Sequence, residues 1–277
     1  MLPNFLIIGA MKAGTDSLWQ YLRHHPQVFM SELKEPDFFV AELNWKHGLS
    51  WYEEHFQDAN GAVATGEAST NYAKYPTYDG VPERIAKTLP DVRLIYLVRH
   101  PLQRIHSQYL HQVLTGNERR PPERAFVEDP SYVNFSSYAL QIDRYLDHFD
   151  RGQLLVVQSE ALRSDREHTM WRICSFLGLR GVPPVHVLAE EFHQTSQKRV
   201  LRRSFEWAHR LPAYSRAVRL VPTFVKEATY RLRTRGIDPS HATIGPALER
   251  RLEDLLRNDV RRLRSHLGEG FDGWGIA

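Results

Sequence analysis

Ile7-Ile8-Gly9-Ala10-Met11-Lys12-Ala13-Gly14-Thr15-Asp16-Ser17-Leu18 is the stretch that decides how this chain folds. The apolar run Phe5 to Ile8 closes at Gly9, the pattern of a short strand buried in a parallel sheet. Small residues follow. From Thr15 to His25 the apolar positions Leu18, Trp19 and Leu22 recur at helical spacing, and Pro26 bounds the helix. A strand that turns through such a loop into a helix gathers backbone N–H groups and the positive end of the helix dipole, which favours an anion. Gly14 lets the backbone approach a phosphate closely, Thr15 and Ser17 add hydroxyl donors, and Lys12 adds a point charge.

Gly9 and Gly14 have the separation found in nucleotide triphosphatase loops, but the charges are misplaced for that chemistry. Thr15 stands where lysine is required, and Asp16 where a serine or threonine would hold magnesium. The lysine sits inside the loop instead, at Lys12. A second apolar run, Arg93-Leu94-Ile95-Tyr96-Leu97-Val98, ends at Arg99, where a magnesium-dependent enzyme commonly carries a metal-holding acid. The pattern predicts a phosphate ligand bound without a metal. Taken alone, the loop also fits an ordinary strand-to-helix turn.

Further strands are expected at Ala62 to Gly66 and Leu154 to Val157. Helices are expected from Pro101, over Tyr138 to Phe149, and over His168 to Leu177 with Gly178 as the cap. Strands alternating with helices give an α/β fold, a three-layer α/β/α arrangement around a central parallel sheet. No Pro/Gly/Ser-rich linker divides the chain, so residues 1–277 are read as a single domain. Its part from about residue 196 is mostly helical and basic; between Lys198 and Arg235 the only acids are Glu206 and Glu227.

Composition narrows the class. The chain has 277 residues, 42% of them hydrophobic, enough for a large core. A formal charge of +3 suits an anionic ligand without naming it. The single cysteine, Cys174, excludes an internal disulfide and a cysteine metal site, and the scattered histidines show no metal-binding spacing. Leu2 to Ala10 reads as a buried strand instead of a signal peptide, and no apolar run reaches membrane-spanning length, so a cytoplasmic protein is expected. The basic stretch carries no groove-reading motif and predicts no nucleic-acid partner. A solvated helix face accounts for it, with contact to an anionic glycan or membrane surface as the second reading. Trp207 and Trp274 read as packing residues. Oligomeric state is not legible.

With Lys12-Ala13-Gly14-Thr15 and the run Leu94 to Tyr109 side by side, the chain resembles the PAPS-dependent sulfotransferases (PAPS is 3′-phosphoadenosine 5′-phosphosulfate), in particular their heparan sulfate and bacterial branch. The resemblance implies a P-loop-like sulfotransferase fold in which Lys12, Ala13, Gly14, Thr15, Asp16 and Ser17 hold the 5′-phosphosulfate. It implies that Arg99 and Ser107, eight residues apart, hold the 3′-phosphate. Lys34-Glu35-Pro36-Asp37-Phe38-Phe39 is similar to the Lys-Glu-x-x-Phe-Phe segment of heparan-type enzymes, with Lys34 a contact to acceptor or phosphosulfate or a helix-surface lysine. Gly66-Glu67-Ala68-Ser69-Thr70-Asn71-Tyr72 looks like the segment with their catalytic glutamate. Gln197, Lys198 and Arg199 match a basic loop closing over the cosubstrate, although the family's usual glycine is absent.

On this reading Lys12 stabilises charge on the breaking sulfate–phosphate bridge and Glu67 is the general base. A histidine is the runner-up base, with His100 and His106 placed on the phosphate side. A salt-bridge role for Glu67 and a surface role for Lys12 are the plain alternatives. Tyr138 packs in the core or reaches the adenosine. The acceptor is a hydroxyl or amine of a carbohydrate, glycolipid or natural product. Two other classes compete: a metal-dependent small-molecule kinase and a non-catalytic nucleotide-binding module. Misplacement of lysine relative to Gly14 argues against the first; with both Lys12 and Glu67 present nothing points to the second, which stays open.

Overall fold

The computed structural model describes residues 1–190, 243–268 and 270–277, with the backbone of 200–201 and 234–235. Its centre is a five-stranded sheet of β1 (Phe5–Gly9), β2 (Val28–Met30), β3 (Ala64–Ala68), β4 (Arg93–Val98) and β5 (Leu154–Gln158). The order is β2-β3-β1-β4-β5 and every pairing is parallel. Helix α1 (Thr15–Arg23) links β1 to β2, α2 (Gly48–Glu54) links β2 to β3, and α3 (Val81–Thr88) links β3 to β4. The longer β4-to-β5 crossover holds α4 (Pro101–Leu114), α5 (Pro122–Glu128), α6 (Ser131–Asn134) and α7 (Tyr138–Leu146). After β5 come α8 (Ser159–Ser164), α9 (Arg166–Phe176) and α10 (Val185–Ala189).

The expected α/β architecture is present, with differences of local origin. Strand β3 runs two residues further than its apolar pattern suggests. Pairing of Leu6 with Glu67 and Ile7 with Ala68 extends the ladder past Gly66. Gly66 itself admits no side chain, because a Cβ there would lie 2.4 Å from the Phe5 ring. Strand β2 has only three residues, too few to show alternation, and pairs with Ala64 to Gly66 at the sheet edge. Pro101 opens α4 and Gly178, at φ 74°, ends α9, both as expected.

The order of connection switches sides between β1 and β4, the point in a parallel sheet where a ligand crevice forms at the carboxyl ends of the strands. That crevice sits over a continuous core in which β1 is buried along its length. Beyond it, β6 (Val200–Leu201) and β7 (Thr234–Arg235) pair antiparallel. The closing helix α11 (Pro246–Leu267) buries Leu248, Leu252, Leu256, Val260 and Leu263 against the same core. Its Asp259 accepts the N–H groups of Ala139 (3.0 Å) and Leu140 (2.9 Å), capping α7 from outside. Burial pushes that carboxyl up to about 6.

Candidate active site

The loop after β1 is held by backbone hydrogen bonds, one to β4 and one within itself. Ala10 N–H donates to Leu97 O (2.7 Å) and Ala13 N–H to Ala10 O (3.0 Å), while Lys12 and Gly14 take left-handed conformations at φ 69° and 95°. Gly14 is the N-cap of α1 and offers no side-chain acceptor to the first turn, the geometry by which helix starts present amides to anions. Thr15 is buried and Asp16 faces solvent.

The second anion motif arrives from β4. The Arg99 guanidinium donates to Lys12 O (Nη1, 3.2 Å) and to Gln103 Oε1 (Nη2, 3.2 Å), so sequence positions 87 residues apart meet at the switch point. Burial, then nearby Arg163, lowers its pKa. Its backbone is fixed by Tyr138, whose hydroxyl donates to Arg99 O at 2.8 Å. Tyr138 is fully buried, so it packs in the core and steadies Arg99. Ser107 lies nearly buried on α4. One residue that sequence reasoning passed over completes this half: Arg104 is wholly buried, bonded to Ser136 Oγ, Gln108 Oε1 (2.7 Å) and Tyr132 O (2.8 Å). Among the described residues it forms no ion pair with a carboxylate; its bonds to α6 and the segment before α7 brace the helix that carries Ser107.

The third component is a group of carboxylates beyond the end of β3. Glu67 has no solvent exposure. Its Oε1 accepts from the hydroxyls of Tyr52 (3.1 Å) and Tyr72 (2.6 Å), and its Oε2 from Ser69 Oγ (2.7 Å). Burial pushes its carboxyl up to about 7 against the lowering effect of those hydrogen bonds. The role of direct base was expected of Glu67. It sits at the strand end where an acid was expected, wholly buried, with the hydroxyls of Ser69 and Tyr72 from the segment that follows β3 and of Tyr52 from α2 converging on it.

Glu35 is a part-exposed carboxylate of this group, with a side chain 31% exposed. Both of its oxygens accept from Thr70 Oγ1 (3.0 and 3.2 Å), and the ammonium of Lys34 lies 3.8 Å from Oε1. Lys34 also pairs directly with Asp16 on the phosphate loop. Asp37 follows at φ 50°; its N–H donates to Ser69 Oγ (3.0 Å) and its Oδ2 accepts from Asn71 (2.8 Å). Burial and the neighbouring Glu35 push its carboxyl up to about 6. Phe38 and Phe39, buried behind them, stack and pack on Tyr52 and fix the segment. The signal for Glu35 was in the sequence: it stands between Lys34 and Pro36 in the segment that ends in the buried pair Phe38-Phe39.

Other expectations fall as follows. Gln197, Lys198, Arg199 and Trp207 lie outside the described residues. His100 follows Arg99 at the start of α4; it donates its backbone N–H to Glu160 (2.8 Å), and burial lowers its ring pKa. His106 is on α4 next to Ser107. Trp274 packs against Phe271 and near Tyr138.

A family model for the sulfotransferase domain matches residues 2–212. The chain belongs to the sulfotransferase family. This sulfotransferase is 30% identical to human heparan sulfate glucosamine 3-O-sulfotransferase 6 over 282 residues, covering 99% of this chain and 74% of that one. It is 29% identical to mouse bifunctional heparan sulfate N-deacetylase/N-sulfotransferase 4 over 200 residues, 64% of this chain, and spans only 22% of that longer enzyme's length. A sulfotransferase from Alicyclobacillus acidocaldarius shares its fold, with a TM-score of 0.72 and 24% identity over 99% of both chains. The kinase alternative finds no support among these relatives. The family uses PAPS as its sulfuryl donor. No helix among the described residues is long and apolar enough to cross a membrane.

Proposed function

We propose that this sulfotransferase moves the sulfuryl group of PAPS to a hydroxyl or amino group of a glycan, with Glu35 taking the acceptor's proton and no metal taking part. The observation that carries the reading is the 3.2 Å contact from Arg99 to the Lys12 carbonyl, which joins two anion-binding motifs at one crevice. A nucleotide with phosphates on both sides of its ribose matches two such motifs; ATP does not. A metal-free reaction is supported by Thr15 and Asp16 standing where a magnesium enzyme carries lysine and a hydroxyl. The carbohydrate acceptor is inferred from relatives named for glucosamine O- and N-sulfation.

In the transfer, the acceptor oxygen or nitrogen forms a bond to sulfur as the sulfur–oxygen bond to the 5′-phosphate breaks. The acceptor's proton passes to Glu35 Oε, and 3′-phosphoadenosine 5′-phosphate (PAP) leaves. Lys12 and the first-turn amides of α1 oppose charge growing on the bridging oxygen. Arg99 and Ser107 hold the 3′-phosphate. The protein's contribution is positioning and a preorganised field, as in phosphoryl transfer.

Incubating the protein with PAPS labelled in the sulfate and a glucosamine-containing oligosaccharide is expected to label the glycan. Absence of label from every hydroxyl and amino sugar offered sinks the acceptor assignment. Arg99→Ala is expected to raise the PAPS KM about 10- to 100-fold, the loss of a charge-assisted hydrogen-bond pair. Its kcat at saturation should fall far less, and a fall confined to kcat contradicts the 3′-phosphate role.

A further inference from the structure

We propose that the Asp16–Lys34 ion pair masks a carboxylate inside the phosphate loop, so that Lys34 is a positioning residue serving both halves of the reaction; this rests on the sulfuryl-transfer reading above. Asp16 lies in the first turn of α1, where its charge suits the helix dipole but opposes an incoming phosphosulfate. Lys34 Nζ contacts Asp16 Oδ1 and lies 3.8 Å from Glu35 Oε1, so a single ammonium stands between the loop's acid and the acceptor-side acid. The lysine side chain is only 20% exposed against 51% for Asp16, which places the cation on the inner side of the pair.

The segment that carries Lys34 is fixed. Phe38 and Phe39 are buried in the core, Asp37 N–H is held by Ser69, and Asn44 Nδ2 donates to Pro36 O at 2.7 Å. Lys34 is therefore delivered to Asp16 by the same backbone that delivers Glu35 to the acceptor side. Moving one moves the other.

Masking differs from direct ligation of the phosphosulfate by Lys34 in what Asp16 does once the lysine is gone. With masking, Lys34→Met strips this countercharge from the Asp16 carboxylate. Affinity for PAP then falls about tenfold, the size of a partly screened like-charge repulsion. Removing that carboxylate as well, in Lys34→Met/Asp16→Asn, restores affinity to within about threefold of the starting protein. Asp16→Asn alone, which removes the acid and keeps the first-turn amide, tightens PAP binding, and Lys34→Arg keeps the charge and with it the affinity.

The test is calorimetric titration of PAP into these four variants and the starting protein, with Lys34→Gln run in parallel with Lys34→Met, alone and combined with Asp16→Asn. Recovery in either double variant supports masking, because a merely structural role for Lys34 gives no recovery when a second residue is removed. If both double variants bind as weakly as the corresponding single lysine variants, masking is overturned. Failure of the underlying reading looks different: the starting protein itself then shows no preference for PAP over AMP.

Discussion

Glu35→Gln is expected to lower kcat for sulfuryl transfer by about 10²- to 10⁴-fold, the usual worth of a positioned general base. PAP affinity should stay within about threefold, because the carboxylate faces the acceptor and not the nucleotide. Steady-state kinetics beside PAP calorimetry reads both. The reasoning is one of access. Among the carboxylates near the end of β3, Glu67 is sealed by the core, whereas Glu35 is part-exposed and adjoins a lysine that contacts the phosphate loop. A variant with near-normal kcat removes Glu35 from the proton-transfer role.

Glu67→Ala should act on stability. It deletes the shared acceptor of Tyr52, Tyr72 and Ser69, leaving three buried hydroxyls without it and a cavity behind them. A loss of about 3–5 kcal/mol is expected, measured as a lower urea midpoint. Charge gives a second handle. Burial raises the Glu67 carboxyl from an ordinary 4.5 to about 7, so the folded protein keeps a proton that the unfolded chain releases. That contribution to stability is fully present below about 4.5 and is lost as pH rises through about 7. Asp37 and Asp259, each raised to about 6, slope the same way, so the Glu67 share is the part of the slope that Glu67→Gln removes. A Glu67→Ala protein as stable as the parent, with an unchanged pH slope in Glu67→Gln, contradicts the hub.

The surroundings of these two glutamates mark where reading the sequence stopped. The phosphate loop was legible because its signals are local: an apolar run, two glycines, one lysine and a helical repeat within a few residues. Arg99 and Ser107 were legible for the same reason. What seals Glu67 is only partly local: Ser69 and Tyr72 are near it in the chain, but Tyr52 comes from α2, fifteen residues away. A glutamate near a strand end looks the same in a sequence whether hydroxyls close over it or water reaches it. The Asp16–Lys34 pair spans eighteen residues and depends on how the segment before Phe38 is folded back over the loop. Arg104 gave no warning either: an arginine three residues before Ser107 reads as a surface cation, yet it is buried against backbone and amide oxygens. Strand β2 escaped because three residues carry no period.

The claim beneath all of this is that one crevice grips phosphates on opposite sides of a ribose, through Lys12 and its loop on one side and Arg99 with Ser107 on the other. Calorimetric titration with PAP and with AMP tests it most directly. The expected result is at least about tenfold tighter binding of PAP, the contribution of a 3′-phosphate held by a guanidinium and a hydroxyl. Equal affinity for the two nucleotides contradicts it.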